Sequence, residues 1–261
     1  MSWWGKLLGG TFGFMLGGPL GALIGAAIGH NFDSGLKNLG NESNSGRQEK
    51  VQTAFFTATF SVMGHIAKAD GRVSEDEITL ATHMMDQMSL SPELKRVARR
   101  LFDEGKANDF PLDDVLDQFR RECHHSRNLL RVFMEIQLQA AFADGTVDQS
   151  EKTILEHICE QLRLPLSELN HLEAMLNAGG TRRPGAAPTQ GVSLDDAYSV
   201  LNVDRRSSDA EVKKAYRRLM SQHHPDKLVA KGLPEEMMKV ATQKTQEVKA
   251  AYDKVMESRQ A

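Results

Sequence analysis

Cysteine is scarce in this 261-residue sequence, which contains only Cys123 and Cys159. Two thiols cannot build a disulfide framework or a four-cysteine zinc site. Isolated cysteines within helical patterns are most often small buried hydrophobic residues in a reducing compartment. We therefore expect both thiols to be free and buried.

The sequence also lacks the motifs of common enzyme classes. It contains no phosphate-binding loop, no dinucleotide-binding glycine pattern and no Ser/His/Asp order. Several histidines stand on helical patterns without a matching set of acids or cysteines, and such histidines are more often structural or exposed than ligands. They are His65, His83, His124 and His125. The sequence therefore predicts a protein that is not an enzyme, with no catalytic residue, cofactor or metal.

Charge is absent from Leu7 to Gly29, a stretch about as long as a helix needs to cross a bilayer. Trp3 and Trp4 precede it, where interfacial aromatic residues are expected. We predict a single transmembrane anchor over residues 7–30, after a short periplasmic N-terminus over residues 1–6. A cleaved signal peptide is the main alternative. The anchor is favoured because the apolar stretch is longer than a typical signal core. More Lys and Arg follow the span than precede it, which places the body of the protein on the cytoplasmic side of the membrane.

Glycine recurs at every fourth position of this span. The series is Gly9, Gly13, Gly17, Gly21, Gly25 and Gly29. Small residues four apart form a smooth stripe on one helix face and let two helices approach closely. The series therefore predicts a homodimer through the anchor. Pro19 would kink the helix, and the alternative is that the glycines only reduce its hydrophobicity.

The remaining chain divides into two linkers and two helical regions, and the whole protein is predicted to be all-α. Residues 31–50 are rich in Asn, Gly and Ser and are interpreted as a juxtamembrane linker. Residues 51–177 have a helical pattern throughout, and residues 178–192 form a second, Gly/Pro-rich linker. Residues 193–261 form a separate C-terminal module.

An internal repeat marks the middle region: the segment 69–77, with Asp70-Gly71, is echoed by the segment 143–151, with Asp144-Gly145. The first interpretation is a helix end followed by a capping box, with Ser74 and Asp148 as the caps. A calcium loop is the alternative, but neither copy supplies the run of oxygen ligands that an EF-hand needs. This duplicated turn in an all-helical region resembles the TerB-like family associated with tellurite resistance.

The C-terminal module contains the most informative feature, a basic amphipathic helix that ends at His224-Pro225-Asp226. Its apolar positions predict one buried stripe, formed by Val212, Ala215, Tyr216, Leu219 and His223. The opposite side is basic and is formed by Lys213, Lys214, Arg217 and Arg218. Pro225 lacks an N–H and disfavours helical geometry in the residue before it, so it should end the helix. We therefore predict that the tripeptide lies in an exposed loop, on a docking surface and not in a catalytic pocket.

These segments resemble a J domain, the module by which DnaJ-type co-chaperones engage DnaK-type ATPase chaperones. Ala215-Tyr216-Arg217-Arg218-Leu219 with the tripeptide resembles its second helix and loop, and residues 194–203 and 246–255 resemble its first and third helices. The resemblance implies that the basic face steers the module onto an acidic chaperone surface. The DnaK-binding residues that it implies are Lys213, Lys214, Tyr216, Arg217, Arg218, His224, Pro225, Asp226 and Lys227. A basic face also suits nucleic acid, but the mildly acidic chain and Asp226 disfavour that partner.

The order of anchor, TerB-like domain, linker and J domain resembles the DjlA family of membrane-anchored DnaJ-like co-chaperones. The resemblance includes Trp4-Gly5-Lys6, Phe142-Ala143-Asp144-Gly145 and the stretch from His224 to Pro234. That last stretch lengthens the loop before the third helix of the J domain and is a family-specific mark. The resemblance implies stimulation of ATP hydrolysis by DnaK at the inner membrane, together with its nucleotide-exchange factor. It also implies links to envelope-stress signalling and capsule synthesis. The alternative function is a membrane scaffold or signalling adaptor that acts mainly through the TerB-like domain.

Overall fold

Helices make up all the regular structure that we describe. The computed structural model describes residues 18–25, 44–69, 82, 85–86, 90–124, 126–142, 146–179, 193–234 and 237–260. Residues 18–25 are helical. The helices that follow are numbered in chain order: α1 (Asn44–Ala67), α2 (Pro92–Gly105), α3 (Leu112–Glu122), α4 (Arg127–Ala141), α5 (Gln149–Gln161), α6 (Leu166–Gly179), α7 (Leu194–Leu201), α8 (Asp209–His223), α9 (Pro225–Val229) and α10 (Met238–Gln260). The all-α prediction is confirmed for these residues.

Helix α1 is the central element of the first domain, which comprises α1 to α6. Its Phe55 ring makes edge contacts with Phe119 of α3 and Phe133 of α4, at centroid distances of 5.9 and 6.4 Å. The rings of Phe119 and Phe133 also lie 4.7 Å apart. All three side chains have no exposed surface. Aromatic burial of this kind joins three helices around one core.

Two glycines let α1 and α2 pack backbone against backbone. A Cβ added at Gly64 would lie 2.0 Å from the carbonyl oxygen of Phe102, and one added at Gly105 would lie 1.8 Å from that of Ser61. Neither distance is compatible with a side chain. The crossing of α1 and α2 therefore requires glycine on both helices.

The second copy of the repeated turn is a capping box. The Asp148 carboxylate accepts hydrogen bonds from the N–H groups of Ser150 and Glu151, at 2.6 and 2.8 Å. The Glu151 carboxylate accepts the N–H of Asp148 at 3.0 Å. Val147 packs against the core beside it. The predicted helix start is confirmed here, whereas the first copy, including Ser74, lies outside the described residues.

The N-terminal region differs from a simple anchor and linker in two places. Helix α1 begins at Asn44, inside the predicted linker over residues 31–50. In the helical segment 18–25, Leu20 and Leu23 are buried with the core of the first domain, and the Leu20 N–H donates to the Gln118 side-chain oxygen at 2.9 Å. Among the described residues, none of the helices combines the length and apolar character needed to cross a bilayer.

The structure describes two members of the glycine series, Gly21 and Gly25. Gly21 is half-buried and Gly25 is buried within the segment 18–25. The other members, Gly9, Gly13, Gly17 and Gly29, lie outside the described residues. Dimerisation through this series therefore stays a prediction.

The C-terminal module has its own small core between α7, α8 and α10. The fully buried side chains of this core are Ala197, Leu201, Val212, Val248, Ala251 and Val255. Arg259 near the end of α10 donates to the Tyr198 hydroxyl at 3.0 Å and pairs with Asp209 at 2.6 Å. These contacts hold the end of α10 against the middle of α7 and the start of α8.

Candidate functional site

The basic face of α8 is set by the way that the helix begins and packs. Ser208 and Glu211 form a capping box that fixes the first turn. Val212 and Ala215 are buried in the module core, and the Tyr216 ring stacks on Tyr252 with 4.3 Å between centroids. The opposite side of the helix is exposed and carries Lys213, Lys214, Arg217 and Arg218. The structure therefore places all four cations on one open surface.

The His-Pro-Asp tripeptide differs from the predicted loop. Helix α8 ends at His223, and His224 has an extended backbone with φ −61° and ψ 121°, as expected for a residue before proline. Pro225 then starts the five-residue helix α9, because its fixed φ and missing N–H suit the first helical position. The predicted loop is therefore wrong from Pro225 onward, because proline both ends α8 and begins α9.

The three side chains of the tripeptide differ in exposure. Asp226 is exposed, whereas His224 and Pro225 are half-buried. The Nδ1 atom of His224 is buried and has no hydrogen-bond partner among the described residues. A buried polar nitrogen without a partner is costly. One side of this imidazole is therefore covered by protein while Asp226 is open to a partner.

Lys227 follows the tripeptide and turns back towards α8. Its amine donates to the Ser221 hydroxyl at 2.9 Å. This contact brings its positive charge to the end of the basic face. The basic face and the tripeptide together therefore present five exposed cations and the exposed Asp226.

His223 is buried, as the helical stripe predicts, but it does not join the module core. Its Nε2 atom lies 3.6 Å from a carboxylate oxygen of Glu135 in α4, which belongs to the first domain. Burial lowers the pKa of His223, against the opposing effect of Glu135. This side chain therefore contacts the first domain next to the tripeptide, which the sequence did not reveal.

The lengthened loop after Lys227 also contacts the first domain. The side-chain amide of Gln48 in α1 donates to the carbonyl oxygen of Val229 at 3.2 Å. A Cβ added at Gly232 would lie 2.4 Å from a methyl group of Val51. The first two turns of α1 therefore lie directly against this loop. No periodicity in the sequence signals such a contact, because it joins segments about 180 residues apart.

The other side chains with potential for chemistry are the two cysteines and the possible metal ligands. Cys123 and Cys159 are buried free thiols, and burial raises the pKa of each to about 12. Among the residues that the structure describes, no three His, Cys, Asp or Glu side chains are grouped so as to hold a metal ion. The exposed cations and Asp226 form a surface that suits a macromolecular partner.

Three family models match successive parts of the chain. Residues 1–39 match the co-chaperone DjlA transmembrane domain, residues 56–174 match the tellurite resistance protein TerB, and residues 196–260 match the DnaJ domain. No solved structure matches the chain. The matches confirm the resemblances that the motifs indicate.

Curated relatives match the chain over nearly its full length. A protein from Coxiella burnetii is 48% identical over 267 residues, covering 99% of both chains. One from Photobacterium profundum is 43% identical and covers 97% of both chains. One from Shewanella oneidensis is 44% identical and covers 99% of both. Each is named co-chaperone protein DjlA.

Proposed function

Because this chain belongs to the DjlA family of DnaJ-like co-chaperones, we propose that it recruits a DnaK-type chaperone to the cytoplasmic face of the inner membrane. There it stimulates ATP hydrolysis by that chaperone through His224, Pro225 and Asp226. The observation that carries this proposal is the exposed basic face of α8 beside an exposed Asp226.

The basic face of α8 would guide the J module onto an acidic surface of the chaperone. Exposed charges that complement an acidic partner raise the association rate and fix the register more than they raise affinity. Screening over about 8 Å at physiological salt makes such steering dependent on ionic strength. Reversing Arg217 to Glu should therefore slow association most at low salt. Lys249→Glu is a matched control, because Lys249 is an exposed cation on α10 outside the basic face.

The tripeptide His224-Pro225-Asp226 would stimulate ATP hydrolysis by the partner chaperone. The module would act by binding the hydrolysing conformation of the partner better than its other conformations. His224 and Asp226 would make the contacts that depend on conformation. Tyr216, Pro225 and Lys227 would position them, since Tyr216 packs on α10 and Lys227 is tied to α8.

The N-terminal segment would determine where in the cell the protein acts. We place residues 1–6 in the periplasm, with the anchor over residues 7–30 and the body in the cytoplasm, where ATP and DnaK-type chaperones are found. Insertion of this anchor would take Leu20 and Leu23 out of the first-domain core, in which the structure buries them. The Lys/Arg bias after the span supports this orientation. The glycine series would pair two anchors, and participation in envelope-stress signalling and capsule synthesis follows from the family resemblance.

Steady-state ATP turnover by purified DnaK, with and without the full chain in detergent micelles, tests the proposal. The full chain should raise turnover, and His224→Gln should abolish the increase. Gln222→Ala, one position before the buried His223, controls for general damage to α8. If the chain fails to raise turnover, or if His224→Gln raises it equally, the proposal is wrong.

A further inference from the structure

The segment that follows Lys227 turns its apolar side chains away from the J module's own core. Leu228, Leu233 and Met237 have no exposed surface, and Ala241 is 2% exposed. All four belong to the hydrophobic cluster of the first domain and not to the cluster of α7, α8 and α10. If the J module stood apart from the first domain, these side chains would lose that cover.

Backbone contacts seat the same segment against the start of α1. The carbonyl oxygen of Val229 accepts the Gln48 amide at 3.2 Å. Gly232 has a φ of +105°, which favours glycine, and its α-carbon faces Val51 at a distance that leaves no room for a Cβ. The lengthened loop therefore fits α1 in detail, through a hydrogen bond, a close glycine contact and a shared core.

Titratable groups from the two domains also face each other beside this loop. Glu135 of α4 lies near His223 of α8, and Lys244 of α10 and Arg218 of α8 influence His171 of α6. Burial lowers the pKa of both histidines. The lowered pKa values favour the neutral imidazoles, which limits the unpaired charge that the interface buries.

We propose that the face formed by α1, α4 and α6 is an intramolecular docking site for the J module, with the lengthened loop as the docking element, and that docking restricts access of the chaperone to His224. This proposal rests on the proposed function, since it concerns the regulation of the same tripeptide. The docking site is occupied by a segment of this chain, namely the loop from Leu228 to Pro234 together with Met237 and Ala241.

Docking affects the tripeptide because docked residues flank it on both sides. His223 contacts Glu135 immediately before it, and Leu228 is buried in the shared cluster two residues after Asp226. His224 lies between these two docked residues, and its Nδ1 atom is buried without a partner among the described residues. Because its neighbours His223 and Leu228 are held by the first domain, we infer that the docked state limits the contacts that a chaperone can make with His224. The chaperone's apparent affinity is then reduced by the fraction of molecules that are undocked.

Crosslinking tests the docked arrangement directly in the full chain. Gln48→Cys combined with Val229→Cys should react efficiently with a short bismaleimide, because the two residues are in contact. Gln48→Cys combined with Glu257→Cys is the control. Ala241 belongs to the docked cluster, and Glu257 lies about 24 Å further along α10 at 1.5 Å per residue, away from the docked segment. The native thiols should not interfere, because both are buried and their pKa is raised to about 12.

ATP turnover by DnaK then tests the consequence of docking. The crosslinked chain should stimulate turnover at least about fivefold less than the same variant before crosslinking, the lower end of typical coupling. Val51→Lys, which places a long charged chain against Gly232, should stimulate at lower chain concentration than the parent. Thr53→Lys is its matched control, because Thr53 is exposed on the same helix.

The outcomes separate the two proposals. Equal crosslinking of the control pair would overturn the docked arrangement. Efficient crosslinking with equal stimulation before and after it would overturn the restriction of His224. If no form of the chain stimulates turnover, the proposed function fails, and the restriction fails with it. Should Val51→Lys not fold, the crosslinked pair still decides between these outcomes.

Discussion

Replacing Gly64 with Ala should destabilise the first domain, although alanine is the better helix former. Helix propensity alone predicts a gain of about 0.8–1.0 kcal/mol. The new Cβ, however, would lie 2.0 Å from the Phe102 carbonyl oxygen, whereas ordinary contact begins at 3.4 Å. The difference, 3.4 − 2.0 = 1.4 Å, must come from separating α1 and α2, because a backbone carbonyl cannot rotate away as a side chain would.

The cost of this separation exceeds the gain in propensity. Overpacking of a core typically costs about 1–3 kcal/mol, and separating two helices belongs at the upper end of that range. The net loss of stability is therefore about 2 kcal/mol, which corresponds to a melting temperature roughly 5–10 °C lower in a domain of this size. Gly105→Ala should behave alike, since its Cβ would lie 1.8 Å from the Ser61 carbonyl oxygen.

Thermal unfolding followed by circular dichroism measures this effect, with Gln139→Ala on the exposed side of α4 as the control. Combining Gly64→Ala and Gly105→Ala should cost less than the sum of the two, because one separation of α1 from α2 relieves both clashes. A melting temperature that is unchanged or higher in Gly64→Ala would show that propensity outweighs the helix crossing and would refute the reasoning.

Three further predictions concern the docked state, the capping box and the anchor. Burial lowers the pKa of His223 below its usual value of 6.5, so protonation of this imidazole opposes docking. Docking should therefore be strongest above pH 6.5 and weaken as the pH falls below it. The yield of the Gln48→Cys/Val229→Cys crosslink between about pH 8 and about pH 5.5 measures this change. Asp148→Ala should cost about 1 kcal/mol by removing the cap of α5, seen as a lower melting temperature, while Gln149→Ala should not. Gly17→Leu with Gly21→Leu should weaken self-association of the anchor in a membrane reporter assay, and unchanged association would mean that the glycine series does not mediate pairing.

The sequence predicts the local structure of the J module well. Apolar spacing identifies the side of α8 that is buried, because a helix of 3.6 residues per turn brings Val212 and Ala215 to one face. The same spacing places Lys213 and Arg217 on the other face. The capping box at Asp148 is equally local, since both partners lie within four residues. Each of these features depends only on neighbours along one helix.

The contacts between the domains depend on distant segments, and the sequence does not predict them. Spacing shows that His223 is buried but not that Glu135 covers it, because periodicity identifies a face and not its partner. The composition of residues 31–50 indicates a linker, yet α1 begins at Asn44, and Gln48 in its second turn contacts Val229. Tertiary contacts here override weak local preference.

Helix α1 also determines how mechanical load would pass through the molecule. Its first turns hold Val229 and Gly232, and its remaining turns form the centre of the first domain. A pull from the N-terminal segment would first load the contact of Leu20 with Gln118 and the buried side chain of Leu23. Once that contact is released, tension would enter α1 at Asn44 and strain Gln48 and Val51 before it reached the aromatic core at Phe55. The contact with the J module would therefore yield before that core.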